Sequence, residues 1–396
     1  MSILYFDHAA SAPRRPEVLE AMEPWLRGVV GNPSGAHQAA RAARRAVEES
    51  REVIAEFVGA QPSEVVFTAG GTESCHAAVV GALARHRREH DRSTIVVSAV
   101  EHHAVLDAAR WAQRQWPEVA VRLVAVDDDG VVDLDDLRDA LDASSAIVSV
   151  MAANNETGVR QPLDAVGAIT RGTVLGGTLV HTDAVAAAPW LFLPVVTATS
   201  DLVSLCSHKI GGPVGAGALV VRGGSAIDAV IPGGGQEAGR RGGTLDVAAV
   251  VGFAAAARAS ARELTATVER VGAMRDRLEA GIRDLPGCRV TAASAPRTAG
   301  TLHATFEGID SDELLFLLDA GGLCASAGAS CSSGAHEVSH VLAAMGVPSS
   351  RARGALRLSL GAETTDDEVD AAIVIVRQAV ERLAGTTRLS SDRLAT

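Results

Sequence analysis

The chain has 396 residues, of which 47% are hydrophobic, and its 36 basic and 48 acidic side chains give a formal net charge of −12. This length exceeds the roughly 250–300 residues at which one hydrophobic core stops growing, so we expect two domains. The acidic balance argues against direct nucleic-acid binding. No apolar run approaches the roughly 20 residues needed to cross a bilayer, and Met1 is not followed by a basic signal-peptide start, so the sequence predicts a cytoplasmic protein without membrane association.

Between residues 34 and 222, short β-rich runs alternate with helical patterns, which is typical of a mostly parallel sheet covered by helices on both faces. One predicted helix is capped by Ser34 and runs to Gly59, and another opens at Thr72 and runs toward His90. The pattern predicts a doubly wound α/β domain. Its seven strands are predicted at Glu64–Ala69, Thr94–Val100, Val121–Val126, Ala146–Ala153, Thr178–Ala184, Leu202–Ser207 and Ala218–Val221.

An Ala-rich helical segment, Thr244–Leu285, leads out of this domain into a smaller α+β domain. We place the large domain at residues 14–255, the small domain at residues 1–13 and 256–385, and a disordered polar tail at residues 386–396. The elements predicted for the small domain are strands at Arg289–Ala293, His303–Phe306, Leu323–Ser326 and Leu356–Leu360, and helices near Ser311–Leu318, Ser339–Met345 and Asp366–Leu383.

Lys209 is delivered by an apolar strand directly into a Gly-rich turn. Burial at such a position lowers the pKa of an amine, and the neutral amine is the form that attacks an aldehyde to give a Schiff base. An ordinary surface lysine at a strand end is the alternative that the local sequence leaves open.

An anion site is predicted where the strand Glu64–Ala69 turns into a helix at Gly71 and Thr72. Backbone N–H groups at a helix start and the Thr72 hydroxyl can converge on a phosphate. The segment lacks the GKS/T ending of a nucleotide-binding loop, which argues against ATP. A purely structural turn remains the alternative.

Two further candidates lie at strand ends, where ligands of open α/β sheets bind. Asp183 ends the strand Thr178–Ala184, and a buried carboxylate there could pair with the protonated ring nitrogen of pyridoxal phosphate or be satisfied by backbone amides. His102 follows the strand Thr94–Val100, where it could lie against a cofactor ring and move protons, or serve only a structural role.

The last two candidates lie in the predicted small domain. Arg357 interrupts an apolar strand, so its guanidinium needs an anion, either a substrate carboxylate or a carboxylate of the protein. Cys331 lies in a loop of small residues, Ser326–Gly334, where an accessible thiol of lowered pKa would be nucleophilic. Because the five cysteines are an odd number without CxxC spacing, we expect neither a disulfide framework nor a metal site.

Together these segments resemble the NifS/IscS-like cysteine desulfurases of the class V aminotransferase group, across nearly the whole chain. The resemblance implies the type I fold of pyridoxal-phosphate-dependent transferases and a homodimer. The matching segments, in family order, are Tyr5–Ala10, Gly31–Ser34, Thr68–Ser74, Glu101–Val105, Asn154–Gly158, Ser207–Lys209, Gly233–Glu237, Ser339–Leu342 and Arg357–Gly361.

The activity implied by this resemblance is release of sulfur from L-cysteine, with L-alanine as the second product. Lys209 then resembles the Schiff-base lysine, Asp183 the partner of the pyridine nitrogen, and His102 the acid/base stacked on the ring. Cys331 resembles the cysteine that takes the sulfur as a persulfide. The sulfur would pass to an acceptor protein, such as an iron–sulfur scaffold or a thiolation enzyme.

The remaining roles are also implied by the resemblance. Asn155 and Arg357 resemble residues that orient the cofactor oxygen and the substrate carboxylate. The phosphate would be held by Gly71, Thr72, Cys206, His208 and, from the other subunit, Thr244.

Two departures from the family pattern concern the cofactor site. Ala186 stands where a Gln usually donates to the phenolic oxygen, and Cys206 stands where a phosphate-binding Ser is common. Two alternatives to a cysteine desulfurase therefore stay open. One is a selenocysteine lyase or related lyase, and the other is a catalytically degenerate scaffold of a sulfur-transfer complex.

Overall fold

The structure, a computed structural model, describes residues 3–28, 31–173, 177–328 and 338–394. Its strands are β1 (Leu4–Tyr5), β2 (Val65–Thr68), β3 (Thr94–Ser98), β4 (Ala120–Val124), β5 (Ser145–Ser149), β6 (Leu179–Asp183), β7 (Leu202–Cys206), β8 (Gly217–Val221), β9 (Cys288–Val290), β10 (Thr301–Phe306), β11 (Leu323–Cys324) and β12 (Ala355–Ser359).

The helices of the described residues are α1 (Pro16–Arg27), α2 (Gln38–Val58), α3 (Gly71–His90), α4 (His103–Gln115), α5 (Leu134–Ala140), α6 (Leu163–Thr173), α7 (Leu193–Val196), α8 (Val247–Ile282), α9 (Ser311–Ala320), α10 (His340–Ala344), α11 (Ser349–Ala352) and α12 (Asp366–Leu394). None of these helices combines the length and apolarity required to span a membrane.

A seven-stranded sheet of order β2-β8-β7-β6-β5-β3-β4 forms the centre of the fold. Strand β8 is antiparallel to both β2 and β7, and the remaining neighbours are parallel. Every residue of β3 and of β5 through β8 is buried, because helices cover both faces. The mostly parallel seven-stranded α/β sheet predicted from the sequence is therefore confirmed, and its strand ends define one common edge.

A second, smaller group of elements has its own hydrophobic core. It contains the antiparallel sheet β12-β10-β9 and the parallel pair β1 and β11, in which Leu4 lies opposite Leu323. Phe6 and Phe306 are fully buried in this core. The N-terminal segment is thus attached to elements more than three hundred residues later in the chain.

Helix α8, of 36 residues, connects the two cores. Its first half packs on α1 and α2 and buries Phe253 in the core beside the seven-stranded sheet. Its second half contributes Val271 and Leu278 to the smaller core. One continuous helix therefore sets the position of one core relative to the other.

Three predicted boundaries were wrong. Helix α2 begins after His37, whose Nδ1 accepts the N–H of Ala40, while the N–H of Ser34 donates to Asn32 Oδ1 in a preceding turn. Helix α8 is capped by Asp246 rather than starting at Thr244. Helix α12 continues to Leu394, so the backbone from residue 386 onward is helical up to that point and not irregular.

A buried ion pair fixes the loop that precedes α8. Arg51 donates from Nη1 and Nη2 to the two carboxylate oxygens of Glu237, each at 2.8 Å, and the N–H of Phe67 donates to the same carboxylate at 2.7 Å. The Glu237 side chain is only 3% exposed. Glu237 and Ala238 have φ values of 49° and 55°, a left-handed conformation that is strained for residues with a Cβ. The ion pair stabilises this conformation.

The substitution Glu237→Ala should destabilise the protein by about 3 kcal/mol, because it removes the buried carboxylate that pairs with Arg51 through two hydrogen bonds and leaves only the exposed Glu48 carboxylate as a partner. Urea unfolding followed by circular dichroism measures the change. The matched control is Glu23→Ala, which removes an exposed ion pair with Arg27 and should cost no more than about 1 kcal/mol. Equal effects of the two substitutions would contradict the assigned role of the buried pair.

Candidate active site

Lys209 lies in the short turn His208–Ile210 that follows β7. Its Nζ donates to the carbonyl oxygens of Ala9 and of Ala10, the latter at 2.9 Å. Burial lowers the pKa of Lys209 from its ordinary value of 10.5, and the positive charge of Arg357 acts in the same direction. The amine is therefore more easily deprotonated than a surface lysine, as a nucleophilic amine requires.

Asp183 ends β6 and is 5% exposed. Its Oδ1 accepts the N–H of Val185 at 2.9 Å, and no basic side chain of the described residues forms a salt bridge with it. A buried carboxylate is costly without a positive partner. The position therefore suits a ligand that brings a positive charge to the end of β6.

His102 is the N-cap of α4, and its Nδ1 accepts the N–H of Ala104 at 3.0 Å. This bond assigns the proton of the neutral ring to Nε2. Burial lowers the pKa of His102, against the opposing effect of the Asp183 charge. The charges of both Asp183 and Lys209 act on His102, so these three predicted residues lie together.

The predicted anion site lies at the start of α3. No side chain caps this helix, whose N-cap is Gly70, so its first N–H groups are available to a ligand. A Cβ added at Gly71 would lie 2.9 Å from Val185 and 3.5 Å from the Cβ of Cys206. Gly71 therefore borders both the Asp183 strand end and the Lys209 turn, and Thr72 follows it on the same helix turn.

Cys206 and His208 lie close to each other beside the predicted anion site at Gly71, and both side chains are weak hydrogen-bond donors. The Cys206 Sγ is 3.8 Å from His208 Nε2. Burial raises the pKa of Cys206 to about 12 and lowers that of His208 to about 4, so both are neutral at pH 7. The next hydroxyl, on Ser207, is buried, has no hydrogen-bond partner in the described parts of the chain and faces Gly212, so it does not replace the Ser missing at position 206.

Arg357 contacts Asn155 next to the Lys209 cavity. Arg357 is 4% exposed on β12 and donates from Nη1 to the backbone oxygen of Asn155 at 2.9 Å. It also forms an ion pair with Asp7, with Nη2 2.7 Å from Oδ1. Asn155 lines the same cavity as Lys209, and so does Ala186, which leaves space where a Gln side chain would lie.

Among the described residues that the sequence predicted for the site, Lys209 and Asn155 line this cavity. Thr244 lines a separate exposed cleft, together with Asn32 and Arg51, so within one chain it does not reach Lys209. Cys331 lies outside the described residues. On the N-terminal side of its segment, the backbone of Ser326 pairs with that of Arg357.

Sequence reasoning missed a buried polar network behind Asp183. The fully buried His181 ring is hydrogen-bonded through Nδ1 to Ser149 at 2.8 Å and through Nε2 to Ser204 at 2.9 Å. Ser149 in turn donates to Glu101 at 3.5 Å. Cys75 lies against Asp183 and Ser204, and burial raises the pKa of its thiol well above the usual value.

Glu101 is the residue of this network whose protonation state most affects the charge near Asp183. It is fully buried, and its Oε1 accepts the N–H of Met151. Burial and the nearby charge of Asp183 raise the pKa of Glu101 to about 8. A neutral Glu101 leaves Asp183 as the single negative charge behind the site. The signal was present in the sequence, since Glu101 directly precedes the predicted His102 at a strand end.

The comparisons with known proteins agree with this geometry. The family model "Aminotransferase class-V" matches residues 4–372. The chain is 42% identical over 384 residues to an IscS-like cysteine desulfurase of Mycobacterium tuberculosis, covering 96% of each sequence. It is also similar to a solved NifS-like protein, with a TM-score of 0.88, 33% identity and coverage of 96% of this chain and 99% of that one.

A third similarity is to a structure titled "SspA in complex with cysteine", with a TM-score of 0.79, 30% identity and coverage of 91% of this chain and 99% of that one. The chain is a member of the class V aminotransferase family. Within that family, it is similar to the NifS- and IscS-like cysteine desulfurases, as its sequence motifs indicated.

The neutral state of Glu101 can be tested through the pH dependence of stability. The native protein keeps a proton that the unfolded chain releases above the ordinary carboxyl pKa of 4.5, so this group lowers the free energy of unfolding as pH rises toward about 8. Glu101→Gln removes the titration. We expect the stability of this variant relative to the wild type to increase over that pH range, as measured by urea unfolding.

The control for this experiment is Glu23→Gln, because Glu23 is exposed on α1. Its stability relative to the wild type should not change across the same pH range. A Glu101→Gln variant that follows this control would show that Glu101 is ionised at neutral pH.

Proposed function

We propose that this protein is a pyridoxal-phosphate-dependent cysteine desulfurase that converts L-cysteine to L-alanine. The observation that carries the proposal is the pairing, in one buried site, of a readily deprotonated Lys209 with an Asp183 carboxylate that forms no salt bridge with any cationic side chain the structure describes. Membership of the class V aminotransferase family supports the same cofactor. When bound, pyridoxal phosphate supplies an electron sink that stabilises negative charge on the substrate carbon.

The residues of the chain have separate tasks in this proposal. Lys209 offers its amine to the cofactor aldehyde, and Asp183 holds the proton of the ring nitrogen in place by its charge. His102, with its proton on Nε2, packs against the ring and moves protons. The first turn of α3, at Gly71 and Thr72, binds the phosphate.

The cofactor would receive fewer and weaker hydrogen bonds, at its phosphate and at its phenolic oxygen, than in the usual family pattern. A Cys206 thiol donates less strongly than a hydroxyl, and the Gln replaced by Ala186 would have donated one further hydrogen bond, worth about 0.5–1.5 kcal/mol. His208 adds a neutral donor. We propose that Thr244 of a second copy of the chain completes the phosphate site, because Thr244 does not reach Lys209 of its own chain.

Substrate binding and sulfur transfer complete the proposal. Arg357 and Asn155 bind and orient the carboxylate of L-cysteine at one end of the Lys209 cavity. Cys331 would attack the substrate sulfur as a thiolate, so that an S–S bond forms while the Cβ–S bond of L-cysteine breaks, and the electron pair of that bond stays with the carbon skeleton, which takes up protons to become L-alanine. The persulfide on Cys331 would then pass its outer sulfur to an acceptor protein, such as an iron–sulfur scaffold or a thiolation enzyme. The adjacent position of Arg357 and Ser326, near the start of the Cys331 segment, supports transfer at this end of the cavity.

Lys209→Ala tests the proposed reaction directly. The purified wild-type protein, given pyridoxal phosphate, L-cysteine and a reductant, should form alanine and sulfide in equal amounts. Loss of the Lys209 amine should lower alanine formation at least about 100-fold and abolish the visible absorbance band of the bound cofactor. A wild-type protein that binds the cofactor but forms no alanine is not a cysteine desulfurase. One that does not bind the cofactor is a degenerate scaffold.

Cys331→Ala tests the route of the sulfur. The variant should keep the visible absorbance band, because Cys331 has no role in holding the cofactor, and should lose the protein-bound persulfide detected by mass spectrometry. Cys288→Ala is the control, since Cys288 lies on β9, in the smaller core. Unchanged alanine formation by Cys331→Ala would assign the chain to a lyase that needs no cysteine, such as a selenocysteine lyase.

A further inference from the structure

The N-terminal segment from Asp7 to Ala10 touches both cationic groups of the proposed site. The backbone oxygens of Ala9 and Ala10 accept hydrogen bonds from Lys209 Nζ, and the side chain of Asp7 forms an ion pair with Arg357. Asp7 belongs to a motif that matches the family, but sequence analysis gave this residue no role.

Two of the three nitrogen atoms of the Arg357 guanidinium have a hydrogen-bond partner in the protein. Nη2 is 2.7 Å from Asp7 Oδ1, and Nη1 is 2.9 Å from the backbone oxygen of Asn155. Nε is buried and has no hydrogen-bond partner among the described residues. A buried guanidinium donor without a partner is costly, so this position suits an incoming anion.

Asp7 itself is held firmly. Its backbone forms a β-bridge with Ser359 on β12, and the N–H of Ala9 donates to the Ser359 hydroxyl at 2.9 Å. The Tyr5 hydroxyl donates to the backbone oxygen of Asp7 at 3.2 Å and to that of Ser11 at 2.8 Å. The carboxylate of Asp7 is therefore held beside the strand that carries Arg357 by contacts that do not involve Arg357.

We propose that Asp7 is a positioning residue for substrate recognition, which orients the Arg357 guanidinium so that Nε–H remains for the substrate carboxylate. This inference rests on the proposed role of Arg357. Asp7 does not touch the substrate. It fixes the orientation of the planar guanidinium by holding Nη2. The direction of the remaining N–H donors is then fixed as well, because all donors of the guanidinium lie in one plane.

A positioning role and a purely electrostatic role predict opposite results. The negative charge of Asp7 repels a substrate carboxylate, so if charge alone mattered, removal of Asp7 would tighten binding. If orientation matters, Asp7→Ala should weaken binding, whereas Asp7→Asn, which keeps an oxygen acceptor for Nη2, should restore it. Asp7→Glu keeps the charge but displaces the acceptor, and it should also weaken binding.

The experiment measures KM for L-cysteine, together with Kd for L-alanine from the change in cofactor absorbance. We expect Asp7→Ala and Asp7→Glu to raise both constants about 10-fold, which corresponds to about 1.4 kcal/mol. We expect kcat to stay within about 3-fold, because Asp7 contacts no reacting group. Asp7→Asn should stay close to the wild type.

Cysteamine, which lacks the carboxylate of cysteine, separates this role from general damage to the fold. Its Kd should be the same in the wild type and all three Asp7 variants. Glu263→Ala is the matched control, because it removes a different ion pair of the N-terminal region, with Arg15, and leaves Arg357 untouched. Adding Asp7→Ala to an Arg357→Gln background should produce no further loss.

Three results would overturn the inference: tighter alanine binding by Asp7→Ala, equal weakening for alanine and cysteamine, or a loss in kcat at constant KM. If Asp7→Ala does not fold, the KM and Kd values of Asp7→Glu and Asp7→Asn are compared instead, because the first displaces the acceptor for Nη2 and the second keeps it. Failure of the proposed function is a separate outcome, because Arg357→Gln would then leave alanine binding unchanged.

Discussion

The burial of charge organises this site. Arg357 and Lys209 are two poorly solvated cationic groups, and the charge of Arg357 acts on Lys209. The negative charges of Asp183 and Asp7 act on Lys209 in the opposite direction. Because unpaired charges are costly in such surroundings, each of these side chains constrains the others. The strand ends, the N-terminal segment and β12 must therefore meet at one place for the site to be stable.

Burial also limits the number of negative charges in the site. Asp183, Glu101 and Cys75 are all acidic groups buried close together, and only one of them can carry a negative charge at moderate cost. Protons on Glu101 and Cys75 leave that charge on Asp183. His181 stays neutral between two serine hydroxyls, since burial lowers its pKa to about 3. The protein therefore presents one negative charge, at the end of β6, to whatever lies in the cavity.

Local sequence was sufficient for much of this arrangement. The seven strands could be predicted because each is a short apolar run between helical patterns, and Lys209, Asp183 and His102 could be found because strand ends of an open sheet converge. The start of α2 was mispredicted because two residues competed as caps, and the imidazole of His37 took the place expected for Ser34. The contacts of Asp7 and Cys75 join parts of the chain that only the tertiary fold brings together, so no local pattern reveals them.

Helix α8 has a mechanical consequence for this site. At about 1.5 Å per residue, its 36 residues form a helix about 54 Å long that packs into both hydrophobic cores. A rotation of one core against the other would have to bend this helix or pull apolar side chains such as Phe253 or Leu278 out of their packing. The separation between Lys209 and Arg357, which belong to different cores, is thus set when the chain folds. A ligand that contacts both residues therefore has to match a separation that the protein alone determines.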